Sequence, residues 1–99
     1  MAADVKITVL LNETVNEIDY GIFCYHFPIR FEKDPGNQKL WIGKFKQIEF
    51  TRPFLELLVH GDDDFTCEAN VYINGAKFNT KPLLLKVING NGYFNNFIS

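Results

Sequence analysis

From Phe65 to Ile73 the chain alternates with a period of two. Phe65, Cys67, Ala69, Val71 and Ile73 fall on one face, and Thr66, Glu68, Asn70 and Tyr72 on the other. A helix, with its period of about 3.6, cannot keep such a pattern on one side, so the segment reads as a half-buried strand. Asn74-Gly75 follows directly. That pair suits a type I′ turn, whose two central residues both need positive φ. A hairpin with one apolar face must bury that face against a second layer. These eleven residues therefore already demand a sheet protein with a packed interior.

The rest of the chain continues the theme. Val5, Ile7, Val9 and Leu11 alternate with Lys6, Thr8 and Leu10, which predicts another strand. Asn12 to Glu17 reads as a connection. Ile18 to Phe31 is rich in aromatic and β-branched residues, with a strand to about Phe27 and a further extended piece after Pro28. Asp34-Pro35-Gly36-Asn37 is a turn, because Pro pre-sets one dihedral and Gly supplies another. Leu40 to Phe50 is extended, with Gly43 a candidate bulge. Phe54 to Val59 is ambiguous: Thr51 could cap a short helix with Pro53 in its first turn, but so short a helix is marginal, and the preferred reading is a strand with Leu55, Leu57 and Val59 inward. Gly61 to Asp64 is a turn. Lys77 to Val87 is a strand broken near Pro82, and Asn89-Gly90-Asn91-Gly92 is a further turn. The expected fold is all-β: an antiparallel β-sandwich of about seven to eight short strands with turns every ~8–12 residues. Residues 1–90 form a single sandwich domain in this reading, and residues 91–99 an aromatic C-terminal strand or docking tail.

Several segments resemble an intermediate-set immunoglobulin domain. Asp63-Asp64-Phe65-Thr66-Cys67-Glu68-Ala69-Asn70 is similar to its F strand, Asn74-Gly75 to its F–G turn, and Lys81 to Val87 to its G strand. Glu17 to Cys24 resembles the B strand with its cysteine, and Pro28 to Asp34 the C strand. The resemblance implies an immunoglobulin-like sandwich and a protein-recognition role. The chain departs from the pattern at Phe31, where the family has tryptophan, and at Phe65, where it has the tyrosine of the tyrosine corner.

Composition narrows the function. Of the 99 residues, 46% are hydrophobic and 22% charged, with a net charge of -2. Disorder needs lower hydrophobicity and higher net charge. A nucleic-acid binder driven by electrostatics needs a strong basic excess. The apolar runs fall far short of the ~18–20 residues that span a bilayer. Asp4 and Lys6 interrupt the start where a signal peptide needs an apolar core, so the expected location is the cytoplasm or a virion. Cys24 and Cys67 are then expected as free, buried thiols, a disulfide being the alternative for an exported chain.

No motif predicts catalysis or a cofactor. Cys24 and His26 share a strand face but lack the electropositive setting of a thiolate nucleophile. Cys24, His26, His60 and Cys67 lack paired zinc-ligand spacing, and Asp62-Asp63-Asp64 lacks the alternation of a calcium loop. Lys39, Lys44 and Lys46 around Trp41 and Phe45 read as a solvated strand face over core aromatics. The chain is expected to be neither an enzyme nor a metal, nucleic-acid or membrane binder.

The positive sign lies in the aromatics. With Ile18, Tyr20, Ile22 and Cys24 inward, the other face of that strand shows Phe23, Tyr25 and Phe27. Tyr93, Phe94 and Phe97 crowd the last residues. Exposed apolar clusters of this kind mark protein-interaction surfaces. These six residues are the candidate contact surface, and the partner is protein: the same chain or a larger assembly. The leading expectation is a non-enzymatic structural subunit, such as a capsid-decoration or tail component of a phage or virus particle. The alternatives are an immunoglobulin-like recognition module of an intracellular or adhesion protein, and a carbohydrate-binding sandwich using Trp41 and the Asp62–Asp64 loop.

Overall fold

A computed structural model describes residues 2–12, 18, 20–25, 27–49, 52–60 and 66–98, the side chains of Tyr20 and Asn96 excepted. Ten strands are described: β1 (Ala2–Leu11), β2 (Tyr20–Phe23), β3 (Phe27–Pro28), β4 (Glu32–Asp34), β5 (Asn37–Glu49), β6 (Phe54–His60), β7 (Thr66–Ile73), β8 (Ala76–Lys77), β9 (Leu83–Lys86) and β10 (Asn91–Phe97). They form two packed antiparallel sheets. The larger has the order β4-β5-β1-β7, with β8 and β9 both pairing the far side of β7; the smaller has the order β10-β6-β2-β3. The fold is the all-β sandwich that the alternation predicts, divided into more strands, some of only two to four residues. The turn at Gly61 to Asp64, the 13–17 connection and His26 lie outside the described residues.

The alternation fixes the core. Val5, Ile7, Val9 and Leu11 of β1 face inward, as do Cys67, Ala69 and Val71 of β7. Leu55, Leu57 and Val59 of β6 meet them from the other sheet. Both hairpin turns obey their sequence: Asn74 and Gly75 have φ of 52° and 84°, and Asn89 and Gly90 have 53° and 84°. Pro35 and Gly36 form the β4–β5 turn, where the Gly36 N–H donates to Asp34 Oδ2 at 3.0 Å.

β1 lies in the interior of its sheet, between β5 and β7. In the immunoglobulin order the first strand sits at a sheet edge, so the strand order here differs. Cys24 and Cys67 are buried free thiols. Cys24 sits just beyond β2 in the smaller sheet, and Cys67 near the start of β7 in the larger.

Gly43 is not a bulge. A Cβ built there would lie 2.6 Å from Ile29 Cγ2, so Gly43 admits the segment that crosses between the sheets after β3. The bulge falls at Gln47 instead, where the β1–β5 register shifts and φ is 52°. Asp4, opposite, stabilises it: Oδ1 accepts the Gln47 N–H at 3.0 Å and Gln47 Nε2 at 3.2 Å. A carboxylate that bonds two donors offsets the strain of a left-handed glutamine.

The ladder along β7 has a gap between β8 and β9, and Asn79 fills it. It is the one buried polar residue among those described, 3% exposed. Asn79 Oδ1 accepts the Val71 N–H at 2.9 Å. Its Nδ2 donates to the Lys81 carbonyl at 2.7 Å and to Asn70 Oδ1 at 3.0 Å. A side-chain amide thus takes the place of a missing strand residue, as buried backbone groups require.

Candidate functional site: an aromatic outer sheet face

Strand parity assigns each side chain of the smaller sheet to a face. In β6, Leu55, Leu57 and Val59 point inward, so Phe54, Glu56 and Leu58 point outward. Phe97 pairs with Phe54, Asn95 with Glu56 and Tyr93 with Leu58, which places Tyr93, Asn95 and Phe97 on the same outer face. Ile22 pairs with Glu56 and joins them.

Phe23 is not on this face. It is 0% exposed and stacks toward Phe45, with ring centroids 6.3 Å apart. The sequence register for this strand is therefore off by one, which exchanges the two faces. The physical reason is Gly21. It lies inward, where a Cβ would come within 3.0 Å of the Phe31 ring. A side chain there would press on Phe31 and Ile29, and Phe23, two residues on, shares this inward face. Cys24 and Tyr25 then both adopt left-handed φ, 55° and 61°. That turn ends the alternation, so Cys24 is buried although Ile22, two residues before it, faces outward. Phe27 and Phe94 also differ from expectation: both are half-buried against the core.

The same left-handed turn swings Tyr25 out, 58% exposed, onto the outer face. Its ring stacks on Phe54 at 4.2 Å with a 16° interplanar angle. Phe97 meets Phe54 edge-on at 5.2 Å, and the Arg52 guanidinium lies 3.7 Å from the Phe97 ring centre. Phe54 is thus covered by its aromatic neighbours on the outside, apart from the core cluster. At the other end Tyr93 is 56% exposed. Its hydroxyl donates to Glu56 Oε2 at 3.2 Å and accepts Asn95 Nδ2 at 2.8 Å.

Of the six residues predicted from sequence, Tyr25, Tyr93 and Phe97 lie on one face. Phe54 and Arg52 complete the cluster and were missed. The outward parity of Phe54 was readable from Leu55, Leu57 and Val59, but nothing local brings Tyr25 onto it.

A second apolar surface lies on the outside of the larger sheet. Cross-strand pairing sets Leu40, Leu10, Glu68 and Leu84 in one row, and Leu84 is 71% exposed. The aromatics of β5 do not contribute to an outer surface, since Trp41 is buried while Lys39, Lys44 and Lys46 are exposed. Trp41 is 5% exposed, with the Lys33 ammonium 5.4 Å from its ring centre.

Burial pushes the Cys67 thiol up to about 11. Cys24 is also raised by desolvation, opposed by its hydrogen bond with the Phe54 backbone. Thiols held protonated at neutral pH are weak nucleophiles and weak metal ligands. Among the described residues, no three His, Cys, Asp or Glu side chains are grouped to hold a metal ion. Asp62 to Asp64 lie outside those residues.

Compared with protein-family models, curated proteins and solved structures, the chain matches none.

Proposed function

We propose that this protein is a non-enzymatic structural subunit that acts through protein–protein contact within a larger assembly, such as a phage or virus particle. The observation that carries this reading is the outer face of the smaller sheet. An antiparallel sandwich ordinarily turns a polar face to water. Here Tyr25, Tyr93, Phe97, Leu58 and Ile22 share it with only Glu56 and Asn95 as polar neighbours, over a covered Phe54 and with Arg52 stacked at one end. Aromatic residues and arginine at the centre of a patch are the composition of protein interfaces. The Leu10/Leu84 row on the opposite side supplies a second apolar surface, which suits a building block with neighbours on two faces.

An immunoglobulin-like recognition module would use the same aromatic face. The β7–β8 hairpin through Asn74-Gly75 supports that second reading; the interior position of β1 speaks for the first.

The test is the size of the native complex in the protein's own host. The wild type is expected to elute above its 11.4 kDa monomer mass. The Tyr25→Ser/Phe97→Ser variant, folded by circular dichroism, is expected to leave that complex. A variant that stays in the same complex would refute the proposal.

A further inference from the structure

We infer that a basic hollow on the outer face of the larger sheet, where β1, β5 and β7 run side by side, binds a small phosphate dianion: inorganic phosphate or a phosphate monoester. The site belongs to the other sheet from the aromatic face and does not rest on the protein-contact reading.

Strand pairing collects the charge. Lys6 of β1 stands directly opposite Lys44 of β5 on one side and Tyr72 of β7 on the other. The buried Val5, Ile7 and Val71 fix the outward parity of Lys6 and Tyr72. Lys46, two residues along β5, borders the same hollow of about 230 Å³, together with Asp4 and Gly75. All three lysines are exposed, and none forms an ion pair with a described residue. Like charges directly opposite each other in a sheet are destabilising. Lys6 meets this by lying over the Tyr72 ring, 4.7 Å from its centre. Among the described residues, three ammonium groups and one carboxylate border the hollow. It therefore carries an excess of two positive charges, in a chain whose net charge is -2. Lys77, opposite Tyr72 in β8, does not border it.

Asp4 fixes the rim. Its Oδ1 holds the Gln47 bulge of β5, next to Lys46. Its backbone holds the β7–β8 turn: the Asp4 N–H donates to Asn74 Oδ1 at 3.0 Å, and the Asn74 N–H donates to the Asp4 carbonyl at 2.8 Å. The walls that carry Lys46 and Gly75 are thus tied to one residue of β1, and the hollow stands formed before a ligand arrives. That is the ordinary condition of small-ligand sites. Bulges recur beside such sites because they re-aim side chains.

The charge selects the ligand. A phosphate monoester carries about −1.5 to −2 at neutral pH and three strong acceptor oxygens, so one group can meet all three ammoniums. A carboxylate or a phosphodiester brings a single charge and leaves half the excess in place. Lysine binds phosphate as a point charge and needs no planar fork. The surrounding face does not suit a long polyanion. Glu32, opposite Ile42, and Glu68, opposite Leu10, stand on it. Single-stranded nucleic acid also needs open rings for its bases, and the half-buried Tyr72 ring already carries Lys6.

The experiment titrates the full chain with inorganic phosphate, O-phosphoserine and dimethyl phosphate in about 0.1 M sodium chloride, where screening confines charge effects to ~10 Å. Amide shifts are read by nuclear magnetic resonance. Saturable shifts at Lys6, Lys44, Tyr72 and Gly75 are expected with phosphate and phosphoserine. Equal affinities for those two make the phosphate group alone the ligand; tighter phosphoserine adds its organic part to what the hollow holds. Dimethyl phosphate, a monoanion, is expected to bind about tenfold more weakly. Lys6→Gln/Lys44→Gln is expected to weaken phosphate roughly tenfold or more, with a thermal midpoint no lower than wild type, because it relieves the opposed pair. Lys39→Gln/Lys81→Gln, the same charge change away from the hollow, is expected to shift the affinity less than about twofold. Should the Lys6/Lys44 variant not fold, Lys46→Gln is read in its place. No saturable shift with phosphate overturns the proposal, and so do equal losses in the two double variants. Dimethyl phosphate binding as tightly as phosphoserine overturns it in favour of a nucleic-acid strand. None of these results bears on the aromatic face, whose own test is the loss of the native complex in Tyr25→Ser/Phe97→Ser.

Discussion

Phe23→Ala is expected to destabilise the protein by about 3–5 kcal/mol, the usual cost of removing a fully buried phenylalanine. Phe23 has no exposed surface and packs with Phe45 inside the sandwich. Tyr25→Ala, two residues on, is expected to cost only about 0.5–1.5 kcal/mol, the value of an aromatic pair, because Tyr25 contributes a ring stacked on Phe54 at the surface. Urea unfolding of the two variants separates them. The contrast matters because strand alternation alone treats the two as equivalent outward residues. Equal costs would restore the register read from sequence and dismantle the aromatic face as described. A single domain of this size holds about 5–15 kcal/mol in total, so Phe23→Ala removes a large share of it and sharply lowers the midpoint.

The second large effect is expected at Asn79. Asn79→Ala leaves the buried Val71 N–H and the Lys81 carbonyl without their partner. The buried Val71 N–H alone costs about 1–3 kcal/mol when abandoned and the part-buried Lys81 carbonyl about 1 more, so a loss of about 2–4 kcal/mol is expected by the same unfolding measurement. Asn70→Ala removes only the half-buried outer partner and should cost under about 1 kcal/mol. Asn79→Asp supplies a further check. A carboxylate can still accept from Val71 but cannot donate to Lys81 and Asn70. The aspartate variant should be destabilised at neutral pH and recover part of the loss as the acid protonates and regains a donor. The burial and missing donors raise the folded-state carboxyl pKa, so stability returns as pH falls through it. No difference between Asn79→Ala and Asn70→Ala would mean that the amide does not bridge the β8–β9 gap.

The fold was legible wherever one face of a strand is apolar and a turn residue fixes the register. β1, β6 and β7 have clear alternation, and Asn74-Gly75 ends β7 with the required dihedrals. Register became ambiguous where both faces carry large apolar side chains. Between Tyr20 and Phe27 either parity buries a respectable set, so the sequence pattern has no preference. The decision comes from long range: Ile29 and Phe31 cross between the sheets and crowd the space that a side chain at 21 or 43 would need. Gly43 was read as a bulge for the same reason, since a glycine required by close packing looks identical in sequence to one required by φ. The Gln47 bulge carries no glycine at all and depends on Asp4, forty-three residues away.

The candidate surface was legible only in part. Tyr93 and Phe97 were singled out because a polar, turn-flanked terminus rarely carries so many aromatics, and their outer parity follows once β10 pairs β6. Tyr25 was singled out for an alternation that ends two residues too early, at the left-handed Cys24–Tyr25 turn. Arg52 had no signal, because its role is to stack on a ring forty-five residues away. Residues 91–97 form a strand, one of the two forms expected of this segment. As β10 it covers the edge of β6, and Ile98 closes the core beside it.

The central claim is that the outer face of the smaller sheet is where this protein meets other proteins. Site-specific photo-crosslinking addresses it most directly. A photoreactive side chain replaces Tyr25 in one variant and Lys77, exposed in β8 and away from the Leu10/Leu84 row, in a second. In the native host the account predicts a discrete cross-linked protein species from position 25 and none from position 77. No adduct from either position, or the same adducts from both, would contradict it.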